Sequence, residues 1–202
     1  MRSVPPTPPS SPAIAPGTAA RDAVFANWGA TAAAMHAVAA GVLAACCSGL
    51  LLMLFPRLEM GLFAGGAARL AALVSGSPIL RMESGWALPG AHTPVLITAA
   101  CSGTDYFLIV AALLGWRLAR GRRSILRAAL GGIALGLPFA ITINALRIAA
   151  LAQVHHWIIP CLPAPYAPFI HLLTGVAVFL PALIALHLIL EFHGRHRSST
   201  SP

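Results

Sequence analysis

Long apolar stretches separated by short polar segments dominate the chain. Four of them reach the roughly 20 apolar residues that cross a bilayer, at about 29–55, 94–116, 128–152 and 168–190. The segment 57–93 mixes charged, glycine and apolar residues, and it predicts a loop with an interfacial helix near 59–75. The pattern therefore predicts an all-α fold, a polytopic membrane helical bundle of about four transmembrane helices plus an interfacial helix.

The two ends of the chain differ from this apolar body. Residues 1–22 are rich in Pro, Ser, Thr and Ala, and they lack the apolar core of a signal peptide, so we expect a disordered tail there. Residues 23–192 are expected to form a single membrane-embedded domain. Residues 193–202 are then a short cytoplasmic tail.

Composition supports this class. Hydrophobic residues make up 58% of the chain and charged residues 9%, whereas soluble domains carry about 25% charged residues. A soluble globular domain and a disordered protein are therefore excluded. The net charge is +8, but the arginines flank apolar stretches as membrane anchors do, so we expect a lipid bilayer as the partner and no nucleic acid.

Cysteine and histidine spacing predicts neither a metal site nor a cofactor. The four cysteines, Cys46, Cys47, Cys101 and Cys161, contain no C-x-x-C pair. His155, His156 and Cys161 lie in a proline-rich segment without the spacing of a ligand set.

Arginine placement predicts the orientation. Five arginines lie between positions 117 and 127, and such clusters mark cytoplasmic loops. The segments 57–93 and 153–167 then face outward, and both chain ends face the cytoplasm. We therefore expect a multi-pass protein of the bacterial inner (cytoplasmic) membrane.

Two charged residues interrupt the predicted spans, Asp105 and Arg147. A charged residue at the centre of a transmembrane helix costs roughly 2.5–3.5 kcal/mol on insertion scales, so it is a functional candidate. Cys101, Arg147 and His171 lie on three different predicted helices. With a helical rise of about 1.5 Å per residue, all three fall within roughly 5–10 Å of the outer surface.

These three residue types can carry acyl transfer without a metal. Cys101 would be the nucleophile, and Arg147 would favour its thiolate or stabilise an oxyanion. His171 would move the proton. Taken singly, each also fits a structural role: packing for Cys101, snorkelling for Arg147 and an interfacial position for His171.

The neighbouring polar residues allow several roles. Asn144 lies three residues before Arg147 and shares its helix face, where it would hold the guanidinium, donate to a substrate backbone or link two helices. Asp105 would pair with Arg147, orient His171 or pack as a protonated carboxyl. Ser102 and Gly103 allow close backbone approach beside Cys101, and Ser102 adds a hydrogen-bond donor.

The ordered motifs Ala100-Cys101-Ser102-Gly103, Asn144-Ala145-Leu146-Arg147-Ile148 and His171-Leu172-Leu173-Thr174-Gly175 resemble the exosortase/archaeosortase family, and the short chain looks most like its compact K-type members. The resemblance covers about residues 85–190. It implies a membrane cysteine transpeptidase or peptidase, with Cys101 as nucleophile, Arg147 as its cationic partner and His171 as proton shuttle. It also implies a membrane-anchored protein substrate with a C-terminal sorting signal, and an amine-bearing acceptor or water. The larger members have about eight spans, and the polar Thr104-Asp105-Tyr106 departs from the pattern expected after the glycine.

A second function class remains open from the sequence. A non-catalytic membrane subunit, acting in transport or assembly, would use Arg147 and Asp105 to hold a small anionic or zwitterionic ligand.

Overall fold

The computed structural model describes residues 16–89, 94–120, 124–161 and 163–199, which are mostly helical. The chain divides into two compact units, residues 1–35 and 36–202. The helices are α1 (Pro16–Leu54), α2 (Pro56–Leu58), a π-helix (Glu59–Ala64), α3 (Gly65–Ser75), α4 (Thr104–Arg120), α5 (Ile125–Trp157) and α6 (Ala167–Ser199). Short 3-10 turns cover Ala99–Cys101, Ile159–Cys161 and Ala164–Tyr166, and the strands are β1 (Leu80–Met82), β2 (Gly85–Leu88) and β3 (Val95–Ile97).

Four helical segments among the described residues are long and apolar enough to cross a membrane: Ala30–Leu54, Pro56–Ser75, Ile125–Trp157 and Pro168–Phe192. The predicted class is confirmed: the protein is a helical membrane bundle, and its three-stranded sheet is a minor addition. In the most apolar part of Pro168–Phe192, only 11% of the stretch is buried inside the protein. Its exposed side chains include Leu172, Leu180 and Phe192, which suit contact with lipid rather than water.

Two of the predicted boundaries differ from the structure. The predicted span 94–116 is helical only from Thr104, because the first residues of that stretch form β3 and a turn. Helix α4 has 17 residues and extends roughly 26 Å, less than the roughly 30 Å of a hydrocarbon core. In contrast, Pro56–Ser75 reaches spanning length, where the sequence predicted only an interfacial helix.

The ends of the chain are more helical than expected. Residues 16–22 of the predicted tail belong to α1, and residues 193–199 of the predicted cytoplasmic tail belong to α6. Residues 1–15 and 200–202 lie outside the described residues.

Small residues allow α4 and α5 to pack closely. A Cβ added at Gly132 would lie 2.6 Å from the carbonyl oxygen of Ala111 and 2.6 Å from the amide nitrogen of Gly115. One turn on, a Cβ at Gly136 would lie 3.3 Å from Ala111 Cα. Such glycine pairs four residues apart are a common means of helix association in membranes, where close van der Waals contact replaces the hydrophobic effect.

The three-stranded sheet fixes the direction from which the chain approaches α4. Strand β2 pairs antiparallel with both β1 and β3, with Trp86 opposite Arg81 and Ile97. Buried side chains of the sheet, among them Ile97, join those of α3 and α5 in one apolar cluster. Because β3 is fixed in this cluster and ends at Ile97, the chain enters the short turn that contains Cys101 from a defined direction.

The close α4–α5 contact is testable by adding one methyl group. We expect Gly132→Ala to lower the free energy of unfolding by about 1–3 kcal/mol, because its Cβ must displace backbone atoms of α4. Thermal unfolding of the purified protein in detergent measures this as a lower Tm. Gly49→Ala is the matched control, because a Cβ at Gly49 meets nothing within 4 Å. Equal Tm values for the two variants would contradict the packing described.

Candidate active site

Cys101 lies in a non-helical turn directly before α4. It ends the 3-10 turn Ala99–Cys101, in which its amide donates to the carbonyl of Thr98 at 2.9 Å. Gly103 then adopts a φ of +73°, a left-handed conformation that side chains with a Cβ disfavour. We call residues 99–103 the Cys101 turn. The prediction that Gly103 permits close backbone approach is supported, because a Cβ there would lie 2.8 Å from Asn144 Cγ.

Asn144 of α5 holds the Cys101 turn. Its Nδ2 donates to the carbonyl oxygens of both Cys101 and Ser102, each at 2.8 Å. Asn144 is fully buried, so both bonds form away from solvent. Of the roles predicted for Asn144, these two hydrogen bonds correspond to a structural link between elements of the fold. The described contacts include no hydrogen bond from Asn144 to Arg147.

Glu59 contacts the same turn and was not anticipated from the sequence. The hydroxyls of Ser102 and Thr104 both donate to Glu59 Oε1, at 3.0 and 3.2 Å. The donor expected from Ser102 is therefore directed at Glu59. The available signal was that Glu59 is the only acidic residue within Pro56–Ser75. It begins a π-helix, a rare element that is frequent at functional sites.

Arg147 faces α6. A Cβ at Gly175 would lie 3.2 Å from Arg147 Nε, and the guanidinium carbon lies 5.3 Å from the ring centroid of Phe179. Arg147 Nε is buried and has no hydrogen-bond partner among the described residues. The structure does not bring Asp105 into an ion pair with Arg147; Asp105 is exposed, in the first turn of α4.

His171 lies near the start of α6, four residues before Gly175. Its Nε2 is 2.9 Å from Nε2 of His155, and the two rings are perpendicular, with centroids 5.0 Å apart. From the spacing of residues alone, His155 is only a weak metal-ligand candidate. Its pairing with His171 was not predicted, because the two residues lie on either side of a loop.

A cavity of about 730 Å³ lies between α4, α5 and α6. Its polar lining residues are Glu59, Ser102, Thr104, Asp105 and Arg147. Its apolar lining comes mainly from α4 and α6, and includes Ile109, Leu172, Val176, Phe179, Leu180 and Leu183. Cys101 and His171 are not among the residues that line it.

The three predicted catalytic residues are thus brought together in part. Arg147 packs against Gly175 of α6, four residues after His171, and the backbone of Cys101 is hydrogen-bonded to Asn144 of α5, one turn before Arg147. The Cys101 side chain is half-buried against the apolar cluster that contains Ala145 and Ile148. Among the described residues, no hydrogen bond joins its sulfur to Arg147 or His171. The catalytic roles of the three residues therefore stay predictions.

The described residues contain no group of three or more His, Cys, Asp or Glu side chains placed to hold a metal ion. All four cysteines are free thiols.

The fold and the site define the class of protein as a polytopic helical membrane protein with an amphipathic cavity lined in part by Arg147. Comparison of the chain with models of known families, with curated proteins and with solved structures finds no match.

The double hydrogen bond from Asn144 is testable with a substitution of the same shape. We expect Asn144→Asp to lower the free energy of unfolding by about 2–4 kcal/mol, because two buried carbonyls lose their donor. Thermal unfolding in detergent measures the loss. Thr142→Val on the same helix is the control: its hydroxyl donates to Pro138 at 2.8 Å on an exposed face, so its removal should cost little. A stable Asn144→Asp variant would show that the Cys101 turn needs no such donor.

Proposed function

We propose that the protein is a membrane-embedded cysteine transpeptidase or peptidase, like the exosortase/archaeosortase family that its motifs resemble. The observation that carries this proposal is the hydrogen-bonded Cys101 turn. Asn144 fixes that turn against α5, and Arg147, one turn further along α5, packs against Gly175 of α6, four residues after His171. Residues of all three motifs of the resemblance therefore contact the stretch of α5 from Asn144 to Arg147.

The proposed reaction proceeds through a thioester. The Cys101 thiol gives its proton to His171, and the sulfur attacks the carbonyl carbon of the scissile peptide bond. Arg147 stabilises the negative charge that develops on the carbonyl oxygen. His171 then returns the proton to the leaving amine as the C–N bond breaks. An incoming amine or water resolves the thioester.

The length of α4 supports a site near the outer membrane surface. Arg117 and Arg120 lie at its C-terminal end, and the arginine-rich segment that follows is expected to face the cytoplasm. A helix of roughly 26 Å from that interface would place the Cys101 turn a few Å inside the opposite surface.

The cavity supports a membrane-anchored substrate. Its apolar wall on α4 and α6 suits a hydrophobic helix, and its polar end holds Arg147 beside two carboxylates, Glu59 and Asp105. A sorting signal of the kind the resemblance implies combines a short recognition motif with a transmembrane helix. Such a segment would place its helix along the apolar wall and its motif at the polar end.

One observation favours the second candidate function, a non-catalytic subunit that binds a small anionic or zwitterionic ligand. Arg147, Glu59 and Asp105 line the cavity, whereas Cys101 does not. A ligand with one negative and one positive group would match these charges without any use of the thiol.

Thiol reactivity separates the two functions. In variants that keep one cysteine each, we expect a maleimide to modify Cys101 rapidly, and Arg147→Gln to slow that modification roughly tenfold or more, because the guanidinium favours the thiolate. Intact mass spectrometry follows the rate. The control is Cys161, which is exposed and whose rate should not depend on Arg147.

Either of two results would contradict the catalytic proposal. One is modification of Cys101 that is as slow as that of Cys46 and unaffected by Arg147→Gln, which favours the binding protein. The other is normal processing of the natural substrate by Cys101→Ala in cells.

A further inference from the structure

His155 and His171 form a direct imidazole pair. The two residues come from the last turn of α5 and the first turns of α6, and their Nε2 atoms are 2.9 Å apart. Only one proton can lie between two such nitrogens, so one ring donates and the other accepts. The perpendicular rings direct one N–H toward the in-plane lone pair of the other ring. This is hydrogen-bond geometry rather than incidental packing.

The pair cannot carry a positive charge on both rings. No carboxylate contacts either imidazole among the described residues. Two imidazolium rings at this distance would repel strongly. One ring of the pair therefore stays neutral, and the neutral ring accepts the hydrogen bond from its partner.

We propose that His155 is a positioning residue that occupies Nε2 of His171 and so leaves Nδ1 as the only nitrogen of His171 available for proton transfer. The reactive part of this inference rests on the proposed function, whereas the pair itself does not. When Nδ1 of His171 takes the thiol proton, Nε2–H donates to neutral His155. When Nδ1 releases that proton to the leaving amine, the pair returns to its starting state with no net change in protons.

The environment of His155 fits a positioning role. Its Nδ1 is buried and has no partner among the described residues, so the bond to His171 is the polar contact that orients this ring. The arrangement parallels a carboxylate that fixes a catalytic histidine, but it uses a neutral ring.

Nuclear magnetic resonance tests the pair directly. In protein labelled with ¹⁵N in its histidine rings and held in detergent micelles, we expect a scalar coupling between the two Nε2 nuclei across the hydrogen bond. His155→Gln should abolish the coupling, and His156→Gln, the matched control on the adjacent residue, should leave it intact. Absence of the coupling from the unmodified protein, with His171 Nε2 exchanging freely with water, would overturn the proposal.

Reactivity of Cys101 toward maleimide tests the positioning role. We expect His155→Phe to slow the modification about tenfold and to change its pH profile, and His155→Gln to restore most of the rate, because its side-chain amide can again hydrogen-bond Nε2 of His171. His156→Phe should have no effect. An unchanged rate and pH profile in His155→Phe would overturn the positioning role.

The coupling measurement and the thiol-reactivity measurement test separate claims, so one can be contradicted without the other. An intact coupling with an inert Cys101 would remove the proposed transpeptidase function, and with it the reactive role of Nδ1. A reactive, Arg147-dependent Cys101 without the coupling would remove this inference alone.

Discussion

The two hydrogen bonds from Asn144 to the carbonyls of Cys101 and Ser102 are the interaction on which the site depends. Non-helical backbone near the depth of a bilayer is stable only where its polar groups are satisfied within the protein. Asn144 supplies both donors from a fully buried position. Without these two hydrogen bonds, α4 would no longer be held to begin at Thr104, and Cys101 would no longer lie in a turn directly before that helix.

Charge around the Cys101 turn is balanced rather than uniformly positive. Glu59 accepts hydrogen bonds from the hydroxyls of Ser102 and Thr104. The N-terminus of α4, which follows the turn directly, adds positive partial charge. Arg147 has no carboxylate partner among the described residues, and its guanidinium lies over the Phe179 ring, so its charge is not neutralised by a direct ion pair. The lining of the cavity accordingly carries both signs of charge, from Glu59, Asp105 and Arg147.

The features that were predicted from the sequence are those that depend on local hydropathy and residue chemistry. The helical membrane class and the apolar stretches followed from hydropathy, and Arg147 stood out because few charges interrupt those stretches. The start of α4 was missed because Val95–Ile97 is as apolar as a helix, and only its antiparallel pairing with β2 shows that it is a strand. Glu59 and His155 were missed for a related reason: their partners are 43 and 16 residues away, and no local pattern links them. Asn144 was predicted as a supporting residue, and its two hydrogen bonds depend on a turn that hydropathy cannot show.

The central claim is that Cys101 carries an acyl group during turnover. Rapid acid quenching of the unmodified protein in its native host, followed by mass spectrometry of the purified protein and its peptides, tests this claim with whatever substrate the host supplies. Acid stops attack on the thioester and so preserves an acyl group on the sulfur. The account predicts an adduct on Cys101 that hydroxylamine removes and that is absent from Cys101→Ser and from His171→Ala, in which no imidazole takes the thiol proton. No adduct, or one that resides on Cys46, Cys47 or Cys161, would contradict it.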